Sequence, residues 1–123
     1  DIALDSMDRL LVADRENSRI QVFDQHGTFI EQWYDMVRPT GIRVDTNGIV
    51  YVSEFSLRVS ILSPSGELLS RITNPSHIRD EAIFLAPHTV GVDSHGDIYV
   101  GEVSKTYAGT DKGARTVQKF TRL

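Results

Sequence analysis

Apolar and polar residues alternate along this chain with a period of two, the pattern of strands half-buried on one face. Ile2/Leu4, Ile42/Val44 and Val90/Val92 each alternate with small or polar neighbours. Every such pair runs into a polar turn: Asp5-Ser6-Met7-Asp8, Asp45-Thr46-Asn47-Gly48 and Asp93-Ser94-His95-Gly96. Glycine in fourth place supplies a positive φ at little cost, and the leading aspartate can accept bonds from the turn backbone. A second strand returns through Leu10-Leu11-Val12, Val50-Tyr51-Val52 and Ile98-Tyr99-Val100. A third follows at 19–23, 58–62 and 117–120. After the Gln25-His26-Gly27 and Pro64-Ser65-Gly66 turns, a fourth strand is expected at 28–33 and 67–72.

These segments are three copies of one unit, aligned without a gap from strand one to strand two. The marker aspartates Asp5, Asp45 and Asp93 stand 40 and 48 residues apart, near the period of propeller blades at about 40–45 residues. Four short antiparallel strands per unit is the build of such a blade. The expected fold is therefore all-β, a β-propeller of about three four-stranded blades at 1–37, 38–84 and 85–123, the last lacking its outer strand. By blade counting, the chain is expected to be the C-terminal half of a six-bladed ring, cut on its N-terminal side. Two copies would then close one ring as a homodimer.

Composition narrows the function classes. Thirteen Lys and Arg against seventeen Asp and Glu give a formal net charge of −4. The basic residues are scattered, apart from Lys112, Arg115, Lys119 and Arg122 near the end. That distribution lacks the basic face that phosphate backbones require, so no nucleic-acid partner is expected. Zero cysteines exclude disulfides and thiolate chemistry. No apolar run approaches the roughly 18 residues of a transmembrane helix.

The segment Leu11 to Phe23, with its Ala13-Asp14-Arg15-Glu16-Asn17 core, is specific. It resembles the NHL-type propeller of the peptidyl-α-hydroxyglycine α-amidating lyase family. The last copy agrees through Ala86-Pro87-His88-Thr89-Val90, Asp97 to Glu102 and Gln118-Lys119-Phe120-Thr121. The middle copy shows only the general NHL pattern.

The resemblance implies cleavage of a peptidyl-α-hydroxyglycine, a carbinolamide, into an amide and glyoxylate. It implies a zinc ion in the central channel on three histidines from alternate blades. His88 falls on one of those positions by its Pro-His pair; Arg38-Pro39-Thr40 in the preceding blade has none, as alternation requires. A second histidine is expected just ahead of Asp1. Arg15 matches the family's active-site arginine, a fixed cation beside the charge that develops on the reacting oxygen. The catalytic tyrosine has no counterpart here, so the chain alone as a monomer is expected to be inactive. Thr89 stands where the family has an aspartate serving a structural calcium, so calcium does not carry over. A secreted or periplasmic location follows from the same resemblance.

Plainer readings stand beside these. His88 is also explained as a packed strand-end imidazole, and Arg15 as a loop partner of Asp14 or Glu16. Asp14, Glu54 and Glu102 recur at one place in every copy and are read as structural. His26, His77 and His95 fall in polar turns or loops and are read as solvated. Segments 73–87 and 103–114 exceed hairpin lengths and are expected to shape a binding face, where Lys105 and Tyr107 can meet a ligand. The rival to the lyase is a non-enzymatic NHL scaffold that binds a protein or small molecule. A lactone hydrolase of similar build would need carboxylate and Asn ligands that do not assemble here.

Overall fold

A computed structural model describes residues 1–74 and 83–122. They form three antiparallel sheets. The first holds β1 (Ile2–Leu4), β2 (Leu10–Asp14), β3 (Arg19–Phe23) and β4 (Phe29–Trp33) in sequence order. The second holds β5 (Pro39–Val44), β6 (Val50–Glu54), β7 (Arg58–Leu62) and β8 (Leu68–Thr73), likewise in order. The third holds β9 (Pro87–Val92), β10 (Ile98–Glu102) and β11 (Val117–Phe120), with no fourth strand among the described residues. His77 lies outside the described residues.

The same register is built twice. Leu10 faces Phe23 in blade one and Val50 faces Leu62 in blade two; Ile20 faces Trp33, and Val59 faces Ile72. Both third-to-fourth strand pairs also shift register at matching points, between Val22 and Phe23 and between Ile61 and Leu62. The first strands β1, β5 and β9 neighbour one another, so the sheets fan around a common line as propeller blades do.

Each hairpin turn is tied by its leading side chain. Asp5, Asp45 and Asp93 each accept two backbone N–H bonds through Oδ1, from residues two and four places on. Asp8 takes the left-handed place that Gly48 and Gly96 fill in the other copies, at φ 57°. These turns lie at one end of the blades, which we call the turn end. The connections from second to third strand and from blade to blade lie at the other, the loop end.

The core sits between blades. Leu11, Ile20, Val22 and Trp33 of blade one meet Ile42, Val50, Val52 and Leu62 of blade two. Tyr51 and Val59 of blade two meet Val90, Ile98 and Val100 of blade three, with Phe84 completing the seam. Burying each such side chain stabilises by about 1.5–3 kcal/mol. The contrast with the outward face of blade one is direct. Ile42 is 1% exposed, whereas Ile2, at the matching position, is 60% exposed.

The segment after β10 departs from the expected open loop. Ser104–Ala108 form a short helix, α1, closed by Gly109 at φ 69°, and Gly113–Thr116 form a 3₁₀ turn leading into β11. The basic residues near the end do not form a patch. Lys112 is buried against Glu102, and Lys119 pairs with Asp97 at 2.7 Å. No described helix is long and apolar enough to cross a membrane.

Candidate functional site

At the loop end, each blade carries one recurring acid. Asp14, Glu54 and Glu102 close the second strands, and the buried Glu54 and Glu102 fasten the linker entering their own blade. Glu54 accepts from the Val37 N–H at 2.6 Å and from Arg58 Nε at 2.9 Å. Glu102 accepts from the Leu85 and Ala86 N–H groups at 2.6 and 2.8 Å, and from Lys112 and Gln118. Asp14 holds Asn17 and Arg19 instead. Their bonds, from Arg19 foremost, keep its carboxyl below the usual carboxylate range. These three acids are occupied with structure.

The residues that follow are Arg15, Phe55 and Val103, one per blade. The half-buried ring of Phe55 is the centre of a cluster. Arg15 Cζ lies 5.6 Å from its centroid and Arg38 Cζ 5.4 Å. The His88 imidazole stands edge-on to it at 5.8 Å and 66°, and the Tyr107 ring lies 4.9 Å away. Guanidinium groups over an aromatic face are held by its quadrupole, more strongly as water is excluded. Three sequence-predicted residues, Arg15, His88 and Tyr107, thus share one ring. The fourth, Lys105, is exposed and pairs with Asp111 at 3.6 Å.

The two arginines are joined by an acid. Glu16 Oε1 accepts from Arg15 Nε at 2.8 Å and from Arg38 Nη2 at 3.0 Å. Arg38, foremost, holds the Glu16 carboxyl below its ordinary value, with Arg15 adding to it. Arg38 itself is held in a left-handed backbone at φ 51°, directly before Pro39. Its N–H donates to Ser18 Oγ at 3.1 Å, and its carbonyl accepts from the Phe55 N–H at 3.1 Å. Residues kept in such sparse backbone regions gather at functional sites.

His88 is exposed on β9, whereas Thr40, at the matching place on β5, is buried. Thr40 Oγ1 lies within hydrogen-bond reach of the Ser53 and Pro87 carbonyls at 3.0 and 3.1 Å. The two positions do different work: Thr40 ties blade to blade, and the His88 ring stands edge-on to Phe55. Among the described residues no three His, Asp or Glu side chains converge as a metal centre. Among the described residues His88 is the one imidazole at this cluster, and a lone imidazole is not enough to hold a zinc ion.

Sequence reasoning missed Phe55 and Arg38. Phe55 was detectable, since it occupies in copy two the place that Arg15 holds in copy one. Arg38 carried no local signal beyond its position before Pro39.

An NHL repeat profile matches residues 1–23. Over 97% of its length the chain is 30% identical to NHL repeat-containing protein 3 of Mus musculus, and over 99% it is 31% identical to that of Homo sapiens. It spans about a third of these relatives, 34% and 35% of their lengths. A streptogramin B lyase structure superposes with a TM-score of 0.68 at 19% identity, covering 99% of this chain and 40% of that one. A Bacteroides caccae protein of unknown function gives 0.75 at 15%, covering 98% and 44%. A luciferin-regenerating enzyme gives 0.67 at 15%, covering 99% and 44%. At these identities the solved structures speak for the fold alone.

Proposed function

We propose, on the premise that this chain folds as part of an NHL-type β-propeller, that its loop end is one wall of a lyase-like site. The observation that carries the reading is that Arg15 of blade one and His88 of blade three converge on Phe55. Residues from separate blades are brought to one ring, as a substrate-facing channel mouth requires. Arg15 supplies a fixed cation where negative charge develops on a carbinolamide oxygen. His88 would supply one imidazole to a zinc ion, whose other ligands would have to come from beyond the described residues. Zinc, when bound, would polarise the substrate hydroxyl. Tyr107 and Phe55 give an apolar floor for the rest of the substrate.

The test is glyoxylate release from a peptidyl-α-hydroxyglycine by the longer propeller that contains this chain, with and without zinc. Arg15→Ala is expected to cut kcat by about 10²–10³-fold, the loss that follows removal of one preorganised charge-stabilising group. His88→Ala is expected to lower zinc affinity. No turnover in the intact propeller with zinc present would sink the reading.

A second reading rests on Glu16. Because one carboxylate oxygen holds both guanidinium groups, neither is presented as an unpaired cation. That favours a non-enzymatic scaffold that docks a protein or small ligand on the Phe55 cluster. Under it, Arg15→Ala weakens ligand binding and there is no turnover to lose.

A further inference from the structure

Arg38 and Ala86 stand in matching places, each directly before the proline that opens the first strand of its blade. Each offers its carbonyl to the residue after the recurring acid. The Phe55 N–H reaches Arg38 at 3.1 Å, and the Val103 N–H reaches Ala86 at 3.0 Å. The residue ahead of each, Val37 or Leu85, gives its N–H to the acid of the blade. The fold therefore uses only backbone at this place, and blade three fills it with a buried methyl group. The long Arg38 side chain is surplus to that task, and it is 48% exposed.

That side chain is held against a carboxylate. Arg38 Nη2 and Arg15 Nε donate to the same atom, Glu16 Oε1, at 3.0 and 2.8 Å. The place between the two guanidinium groups thus already accepts a carboxylate oxygen. Glu16 is a weak occupant, because exposed pairs of this kind contribute little. It also gives one oxygen to both arginines, where a free carboxylate can meet a guanidinium through two parallel bonds. Beside this place is the exposed Tyr107 ring, 4.9 Å from the Phe55 ring, a surface for an apolar group.

A peptidyl-α-hydroxyglycine carries its hydroxyl and its carboxylate on one carbon. Arg15 is assigned to the hydroxyl oxygen, so the carboxylate calls for a second cation within reach of the first. Arg38 meets that requirement, since both guanidinium groups reach one oxygen atom.

We propose that Arg38 is a specificity-determining residue of this face, holding the carboxylate of an N-acylglycine ligand in the place that Glu16 Oε1 occupies. The acyl group then packs on Tyr107. The identity of the ligand rests on the lyase reading; the place of its carboxylate rests on the geometry of Arg15, Glu16 and Arg38.

The test is calorimetric titration of the longer propeller that contains this chain with sodium hippurate, an aromatic acylglycine, and with hippuramide as the uncharged control. Hippurate is expected to bind about tenfold more tightly than hippuramide. Arg38→Gln is expected to remove that preference by weakening hippurate alone, as loss of one charged hydrogen-bond partner predicts. Should the variant fail to fold, Glu16→Gln, at a side chain 64% exposed, is expected to strengthen hippurate several-fold and leave hippuramide unchanged. With a substrate that is turned over, Arg38→Gln is expected to raise KM and leave kcat nearly unchanged, because the carboxylate is held alike before and during the reaction. An Arg38 that only braces Phe55 would move both ligands together. No binding of hippurate, equal affinity for the two ligands, or an Arg38→Gln variant that keeps the preference would overturn the proposal. Binding is read without turnover, so absent glyoxylate release counts against the lyase reading alone, and absent charge preference against this one.

Discussion

Trp33 of blade one lies so close over Gly66 of blade two that a Cβ there would fall 2.4 Å from its Cδ2 and Cε2 atoms. Gly66 also holds φ at 83°, so the position excludes a side chain on two grounds. Gly27 has the same backbone, φ 82°, but open space around its would-be Cβ. Gly27→Ala is expected to cost about 1–2 kcal/mol from backbone strain alone. Gly66→Ala is expected to cost about 2–4 kcal/mol, because the indole must also shift in a filled seam. Urea unfolding of both variants isolates the contact; equal losses would show that the indole yields freely.

Lys112, one of the basic residues grouped near the end of the sequence, is buried, with Glu102 and the Ile83 carbonyl as its partners. Glu102 keeps the Leu85 and Ala86 N–H groups and Gln118 when the lysine is removed. It then carries a buried charge with no counter-charge. Lys112→Met is expected to destabilise by about 3–5 kcal/mol, the cost of breaking a buried pair from one side. Increased proteolytic cutting within 103–116 would localise the damage to this loop. A variant as stable as the parent would show that the amide donors suffice.

The Asp97–Lys119 pair binds β11 to β10 and sets a pH dependence. Lys119, foremost, holds the Asp97 carboxyl below the usual carboxylate range, with the Arg122 N–H adding to it. The same pair raises the Lys119 ammonium, Asp97 first and Tyr99 second. A depressed carboxylate contributes stability that is present above its unfolded value near 4 and is lost as pH falls through the folded value. The raised ammonium contributes stability that is present below its unfolded value near 10.5 and is lost as pH rises through the folded one. Asp97→Asn is therefore expected to be less stable than the parent at pH 7, with the gap narrowing below pH 4. Denaturant midpoints measured from pH 2 to 8 check this; a gap independent of pH would remove the charge from the explanation.

Most of the fold was legible because a blade is a local object. Alternation in Ile42/Val44 or Val90/Val92 places strands, and Asp45 or Asp93 bonding its own turn needs only neighbouring residues. The repeat then exposed Glu54 and Glu102 as structural. What joins blades was not legible. Phe55, Arg38 and His88 meet only after three sheets have packed, and no spacing encodes that meeting. The same holds for Lys112, whose burial depends on Glu102 and a carbonyl 29 residues upstream.

Glu16 decides how the loop-end cluster meets a ligand. Its Oε1 sits where an incoming anion would sit, between Arg15 and Arg38, and its side chain is 64% exposed. Exposed pairs of this kind contribute little to stability, so Glu16→Gln is expected to leave the unfolding midpoint nearly unchanged, within about 0.5 kcal/mol. It removes the internal competitor, however, while Arg38 stays fixed by its bonds to Ser18 and Phe55. Inorganic phosphate is therefore expected to bind Glu16→Gln several-fold more tightly than the parent at low salt. The difference should fade as ionic strength passes 0.1 M, where screening acts within about 10 Å. Arg38→Gln in the same background should abolish the gain. If Glu16→Gln gains no phosphate affinity, the two arginines are braces for Phe55, and recognition at this face rests on His88 and the aromatic rings.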